Sequence, residues 1–375
     1  MKKKLLALVC ALALTVSLVG CALSTPDTVG KIGDFEVTSG LYLLAQYDAY
    51  QQAAQLADSE QDTSKVNSFL KATITTDADT GETAVVKDYV VQKTLETLQT
   101  LAAVDARFTE LGGQLTEEQK SAADSYAQQL MDNYGDAYTA NGIGLETLKL
   151  FQQLQYKQVL LLDLVYGKDG ETPVEDGELT EHLDSTMYEI GFITVPLYNT
   201  STFAFANDDQ KAEMLSLAQK AADSYNAAAP EDASSQMAAF NSIASSALTD
   251  ICAVLDAEVP STSTLQTDLL SESDLTDAFT QEGAADTLRG LAYGQAAAIQ
   301  YTGYAMMLAV RLDPLSVSTL DALRSQILSD MKGEELNDAL AAYGAQLDST
   351  LSSSAMSKLP ASKIVNATSA NSANS

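Results

Sequence analysis

The residue pattern predicts an α+β chain in which helices and strands segregate along the sequence. Three observations predict it. Helical periodicity runs almost unbroken from about residue 38 to 167, the texture changes after Gly170 to strand-like runs among shorter helices, and a helical pattern returns from Ser318 to about Leu351. With 375 residues the chain is long enough for two to three domains.

The elements follow in order. Val29 to Val37 alternates apolar and polar residues around a Gly33-Asp34 turn, which reads as a small hairpin, and it runs into a helix starting near Thr38 or Ser39 and continuing past Gln55. After a polar stretch closing at Asp77 to Glu82, a long helix spans about Ala84 to Leu111 and is stopped by Gly112-Gly113. Thr116 and Gln119 form a capping box for a helix ending near Gly135. Leu145 to Tyr166 carries Leu148, Phe151, Leu154, Leu161 and Val165 on one helical face. Beyond Gly170, Tyr188 to Val195 reads as a strand ending at Pro196, and Asp209 to Asn226 as an amphipathic helix. Shorter helical stretches follow around Ser234 to Ala247 and Ser273 to Leu291. Ala296 to Tyr301 and Tyr304 to Leu312 read as two strands joined by a Thr302-Gly303 turn. Of the last 15 residues 12 are Ser, Ala, Asn or Thr, so the tail from 352 to 375 is expected to be disordered.

Charge and composition exclude whole classes of function. The formal net charge is −30, with 21 Lys and Arg against 51 Asp and Glu. Such a surface repels phosphate backbones, so no nucleic acid partner is expected. One histidine, His182, and three cysteines leave little material for His/Cys metal sites or for nucleophile and base pairs. No cofactor is expected. Cys252 lies among Ile251, Val254 and Leu255, which reads as a small core residue. The Asp77, Asp79, Gly81 spacing departs from a calcium loop, because glycine occupies the fifth place and Asp88 stands at the twelfth, and it reads as a flexible acidic turn. His182, between Glu181 and Leu183, reads as a solvated residue on an exposed helix.

Residues 1–20 are expected to be an export signal. Lys2, Lys3 and Lys4 precede a mostly apolar stretch from Leu5 to Val19, too short for the ~20 residues that span a bilayer, and the run closes Leu18-Val19-Gly20-Cys21. This resembles a bacterial lipoprotein signal. The resemblance implies cleavage before Cys21, a diacylglycerol on its thiol, and a membrane location through that lipid anchor on the extracytoplasmic face. Residues 21–28 then form a polar tether. Cys252 would be the one thiol left, so no intramolecular disulfide is expected.

Three further stretches carry a family resemblance. Val29-Gly-Lys-Ile-Gly-Asp-Phe-Glu-Val-Thr38, followed by Leu41-Tyr42, opens as the N-terminal domain of exported foldases opens. Glu178-Leu-Thr-Glu-His-Leu183 with Tyr188-Glu-Ile-Gly-Phe-Ile-Thr-Val195 looks like the helix and first strand of a parvulin-type prolyl isomerase domain. Leu291-Ala-Tyr-Gly-Gln295 with Tyr301-Thr-Gly-Tyr-Ala-Met-Met307 looks like that domain's close. In this order they resemble the PrsA and SurA family of extracytoplasmic foldases and chaperones. The resemblance implies a helical domain over 29–172, a parvulin-like α+β domain with a small antiparallel sheet over 173–314, and a helix at 315–351 that packs back on the N-terminal domain.

The departures bear on chemistry. Active parvulins carry a histidine in the first strand and another in the last, and those positions here are Phe192 and Ala305. The glycine-rich signature expected mid-domain is not recognisable, and Ala229 to Asp274 is rich in Ser, Ala and Thr. Isomerisation must lower a barrier of ~18–20 kcal/mol around the prolyl bond, for which Phe192 and Ala305 supply shape alone. The expectation is therefore an acidic, lipid-anchored chaperone that binds newly exported, unfolded polypeptides, with a degenerate parvulin-like domain and no catalytic residue. Client-facing residues are not fixed by sequence, since Tyr42, Tyr47, Tyr50, Tyr89, Phe108 and Leu111 suit core packing as well as a groove. The alternatives are an active peptidyl-prolyl isomerase with a rebuilt floor and, more weakly, a solute-binding lipoprotein, which calls for repeated βαβ units.

Overall fold

A computed structural model describes residues 26–228 and 233–366. The expected leader, its Cys21 and part of the tether lie outside the described residues. The fold is α+β, with helices and small antiparallel sheets. The chain divides into two compact units, one of residues up to Leu164 together with those from Glu335 on, the other Val165–Glu334.

In the first unit, β1 (Thr28–Ile32) and β2 (Phe35–Thr38) pair around the Gly33-Asp34 turn, with Gly33 at φ +55°. Thr38 then caps α1 (Ser39–Gln55), its hydroxyl accepting from the Leu41 N–H at 3.2 Å. Apolar residues at helical spacing, among them Leu41, Ala45, Ala49 and Ala53, bury the face of α1 that meets α3 (Val86–Glu110). Between them come α2 (Val66–Phe69) and a second hairpin, β3 (Thr73–Asp77) with β4 (Glu82–Val85), which the polar sequence did not announce. The acidic turn at 77–81 is thereby a tight hairpin loop. The Asp77 carboxylate accepts from the Asp79 and Thr80 N–H groups, and Gly81 takes φ +71°.

The capping box of Thr116 and Gln119 starts α4 (Glu117–Ala140). Its expected end near Gly135 is instead a kink at Tyr134 (φ −130°, ψ 15°), after which the helix resumes. Helix α5 (Leu145–Tyr166) follows.

A larger correction concerns the C-terminal segment. Thr350 and Ser352 donate to the Lys31 and Val29 carbonyls at 2.8 and 2.7 Å, and Gly33 donates to Asp348, so the segment lies along β1 as an added strip of backbone. Gly30, at φ +132°, admits it: a Cβ there would lie 2.4 Å from the Thr350 oxygen. The chain continues into α13 (Ser353–Met356) and a 3-10 turn (Ala361–Lys363), and it buries Leu359 and Ile364 in the core of the unit. The tail expected to be disordered from 352 is thus folded as far as 366, held by the buried Leu359 and Ile364, by backbone bonds to β1 and by side-chain amides of the unit. Residues 367–375 lie outside the described residues.

In the second unit, α6 (Asp176–Thr186) leads into β5 (Met187–Pro196), the long central strand of a four-stranded antiparallel sheet in the order β6-β5-β8-β7. The others are β6 (Gln266–Ser271), β7 (Ala296–Gln300) and β8 (Ala305–Leu312). Period-two alternation gives the sheet two apolar faces. Ile193, Val195, Leu308 and Val310 pack under α7 (Asp208–Ala228) and α8 (Ala233–Ala253), where Tyr225 meets Phe240 edge to face and Cys252 is buried. Ile190, Ile299, Met307 and Ala309 face α9 (Glu272–Ala278) and α10 (Ala284–Arg289). The single helical stretch expected at 273–291 is these two short helices, parted before Gly283 at φ +76°. The turn expected at Thr302-Gly303 is a four-residue loop, Tyr301 to Tyr304.

The unit boundaries fall inside helices rather than at 172 and 314. After α11 (Pro314–Val317), helix α12 (Leu320–Gln346) is divided: Leu320 to Glu334 counts with the second unit, where Ile327 and Leu328 are wholly buried, and the remainder counts with the first.

Candidate functional site

The two positions that would carry the histidines of a prolyl isomerase floor lie on one face of the sheet, since Phe192 and Ala305 both point to the side covered by α9 and α10. They are not opposite one another. Phe192 pairs with Ala309 and Ala305 with Pro196, leaving the Thr194–Met307 pair between them. Phe192 is half-buried against the apolar cluster and Ala305 is buried. Neither side chain donates or accepts a hydrogen bond, so at these two places the face offers shape and no proton chemistry.

His182 is not the solvated residue expected. Its Nε2 lies 2.6 Å from Asp330 Oδ2, with both side chains about one-fifth exposed, and the pair ties α6 to α12. A second polar cluster, invisible in sequence, brackets the sheet: Tyr188 donates to Glu272, Glu272 pairs with Arg289 at 2.7 Å, and the Arg311 guanidinium lies over the Tyr188 ring. The Arg289 and Tyr188 hydrogen bonds hold the Glu272 carboxyl below its ordinary range. These contacts are structural in kind, tying α9 and α10 to one end of the central strands β5 and β8. Among the described residues no group of three or more His, Cys, Asp or Glu is arranged to hold a metal ion, and no helix is long and apolar enough to cross a membrane.

The first unit carries an open groove of about 480 Å³. It is lined by Tyr42, Leu70, Lys71, Lys87 and Val91 and by Met356 and Pro360 of the folded C-terminal segment. Val91 is 56% exposed, a large share for a valine. The remaining candidate aromatics serve the core. Tyr50 is wholly buried, donating to the Thr63 carbonyl at 2.6 Å and stacking edge-on to Phe69; Tyr47 meets Tyr138; Phe108 is buried beneath Lys157. Tyr42 alone of the six lines this groove, and burial raises its hydroxyl pKa.

Beside the groove the unit already holds main chain through side-chain amides. The Gln46 amide donates to the Leu359 carbonyl, and the Asn141 amide both donates to and accepts from Val365 at 2.9 Å. Both amides are buried. Carboxamides bonding main chain, with apolar pockets alongside, recognise polypeptide with little regard to its sequence. No sequence signal marked Val91, Lys71 or Lys87, because only the fold of the tail turns that helix face into a groove.

No protein-family model matches the chain. No curated protein matches it either. Among solved structures it is similar to the foldase protein PrsA of Streptococcus pneumoniae str. Canada MDR_19A, at 13% identity and TM-score 0.32, covering 78% of this chain and 92% of that one. PrsA of Bacillus subtilis matches at 12% identity and TM-score 0.29, over 70% and 82% of the two chains. The foldase protein PrsA of Lactococcus lactis matches at 12% identity and TM-score 0.33, over 89% and 98%. Superpositions this loose carry no functional argument, and the chain's own residues must supply it.

Proposed function

We propose that the protein is an extracytoplasmic chaperone, tethered through an acylated Cys21, which holds extended apolar segments of newly exported polypeptides and does not isomerise their prolyl bonds. The observation that carries this reading is the open groove of the first unit, about 480 Å³ in volume and lined by Val91 and Tyr42 together with Met356 and Pro360. Its lining mixes apolar residues with Gln46, Asn67, Lys71, Lys87 and serines, which suits a shallow, sequence-tolerant grip. The absent histidines at Phe192 and Ala305 support the second half: binding the ground and transition states alike leaves a barrier unchanged.

Residues 22–375 are expected to slow the aggregation of a chemically unfolded model protein while leaving the cis-to-trans relaxation of a prolyl peptide at its uncatalysed rate, itself tens to hundreds of seconds. Val91→Asp, at an exposed helix position that tolerates charge, is expected to weaken the suppression at least tenfold, since desolvating one carboxylate against an apolar client costs more than the about 1.4 kcal/mol that a factor of ten represents. Unchanged suppression by that variant would remove the groove from the account, and saturable acceleration of the peptide would promote the isomerase.

Anchoring has its own test. Cys21→Ser is expected to move the protein from the membrane fraction to the medium, or to leave it unprocessed, read by fractionation and by the mass of the N-terminal peptide. A variant that stays processed and membrane-bound excludes the lipid.

A further inference from the structure

Far along the chain from that groove, the second unit displays an aromatic cluster that its core does not use. After β5 the chain makes a small loop from Tyr198 to Ala206, in which Phe203 is 73% and Phe205 70% exposed, while Tyr304 in the loop before β8 is 57% exposed. Tyr198 packs on Phe205 at 5.7 Å between ring centroids. The loops are neighbours: Leu197 donates to the Tyr304 carbonyl at 2.8 Å, and Ala206 donates to Leu197 at 2.9 Å.

The loop is built to be rigid. Asn199 Oδ1 accepts from the Ser201 and Thr202 N–H groups at 2.9 and 3.1 Å, and its Nδ2 donates to the Leu255 carbonyl at 3.0 Å. Phe203 closes back on Asn199 through its own N–H. Phe203 also sits at φ +58°, a backbone region that penalises a bulky residue and that glycine or asparagine would occupy more easily. Burial does not compensate for that conformation, because the ring points into water. A fold that holds a phenylalanine there in a disfavoured conformation is presenting it.

Charge identifies the occupant. Asp208, Asp209, Asp256 and Glu258 are all exposed, two of them opening α7 just after the loop and two following the Leu255 carbonyl that Asn199 holds. No lysine or arginine lies between Lys168 and Lys211, or between Lys220 and Arg289. Exposed aromatic rings flanked in the chain by exposed carboxylates, with Lys211 one turn into α7 as the nearest cation in sequence, attract guanidinium and ammonium groups through both the ring quadrupole and the net charge. An anionic lipid surface would be repelled. We infer that the Tyr198–Phe205 loop with Tyr304 is a docking surface for extended polypeptide segments in which arginine or lysine alternates with apolar residues. It stands independently of the groove in the first unit.

The test uses residues 22–375 and a labelled dodecapeptide of four Arg-Leu-Ser repeats, with a second peptide in which Glu replaces Arg. Wild type is expected to bind the arginine peptide saturably and the glutamate peptide not at all. The Phe203→Ser, Phe205→Ser double variant, which keeps every charge, is expected to lose at least tenfold in affinity, whereas Tyr126→Ser, at an exposed tyrosine of α4, is expected to lose nothing. Circular dichroism of the double variant should match wild type, since both rings lie outside the core. Equal affinity of the double variant and wild type would show that binding is general attraction to an acidic protein and would overturn the inference. So would failure of the wild type to bind, or cosedimentation with phosphatidylcholine vesicles that the double variant alone loses, which would assign the rings to a bilayer.

Discussion

The double variant Leu359→Ala, Ile364→Ala is expected to lower the stability of the N-terminal unit by about 5 kcal/mol, a large part of what a domain of this size possesses. Leu359 is 8% exposed and Ile364 9%, and they belong to different parts of the core, the first beside Val29, Leu41 and Leu98, the second beside Tyr50, Phe69 and Val86. Each truncation removes buried methyl groups and leaves a cavity, typically costing about 2–5 kcal/mol, and sites with separate surroundings add. The loss has a ceiling: once the segment lets go it regains chain entropy, and the remaining penalty is that of the buried Gln46 and Asn141 amides left without their main-chain partners. Urea unfolding of the single and double variants reads this directly. A loss below about 0.5 kcal/mol per substitution, the range for surface positions, would mean that the segment hangs free.

That segment marks where sequence reading gave out. Two anchors five residues apart in a run of serine, alanine and asparagine have neither helical nor strand period, so nothing short of the partner surface distinguishes 353–366 from a solvated tail. The same holds for β3, β4 and β6, short strands rich in Thr, Asp and Gln whose pairing partners, not their composition, make them strands. Where local chemistry decides, the reading was close: the Gly33-Asp34 hairpin, the Thr38 cap, the Thr116–Gln119 box and the bounds of α5 follow from neighbours within four residues. The candidate site was legible in part. The sequence points to Phe192 and Ala305 through a resemblance alone, and that they share a face without facing each other depends on the β5–β8 register. Of the aromatics left open between core and groove, Tyr42 lines the groove while Tyr50 and Phe108 fill the core, because a ring that lines a groove and a ring that fills a core have the same spacing.

Stability of the sheet unit is expected to fall as pH rises from about 4.5 to about 7, and Glu189→Gln is expected to abolish that fall. Glu189 sits mid-sheet on β5, opposite Leu269 on one neighbour and Leu312 on the other, and is 8% exposed. Burial first, and the nearby Asp268 charge second, push its carboxyl from the ordinary 4.5 up to about 7. Below 4.5 the group is protonated in both the folded and the unfolded chain and contributes no pH dependence. Between 4.5 and 7 the unfolded chain ionises while the folded one resists, so the unfolded chain binds fewer protons and stability declines. Above 7 both are ionised and the penalty is constant, about 3 kcal/mol at 1.36 kcal/mol per pH unit. Glutamine has the same shape and no charge to desolvate. At pH 8 the variant is therefore expected to be about 3 kcal/mol more stable, a midpoint roughly 5–10 °C higher for a unit of this size, while at pH 4 the two proteins should melt together. Carboxyls held below their ordinary range, such as Asp176 beside Arg324 and Glu272 beside Arg289, act in the opposite sense at lower pH, but they are common to both proteins and cancel in the difference. Melting curves at pH 4 and pH 8 decide it: an equal gain at both values would trace the effect to packing, and a loss at pH 8 would show that the ionised Glu189 has found a partner.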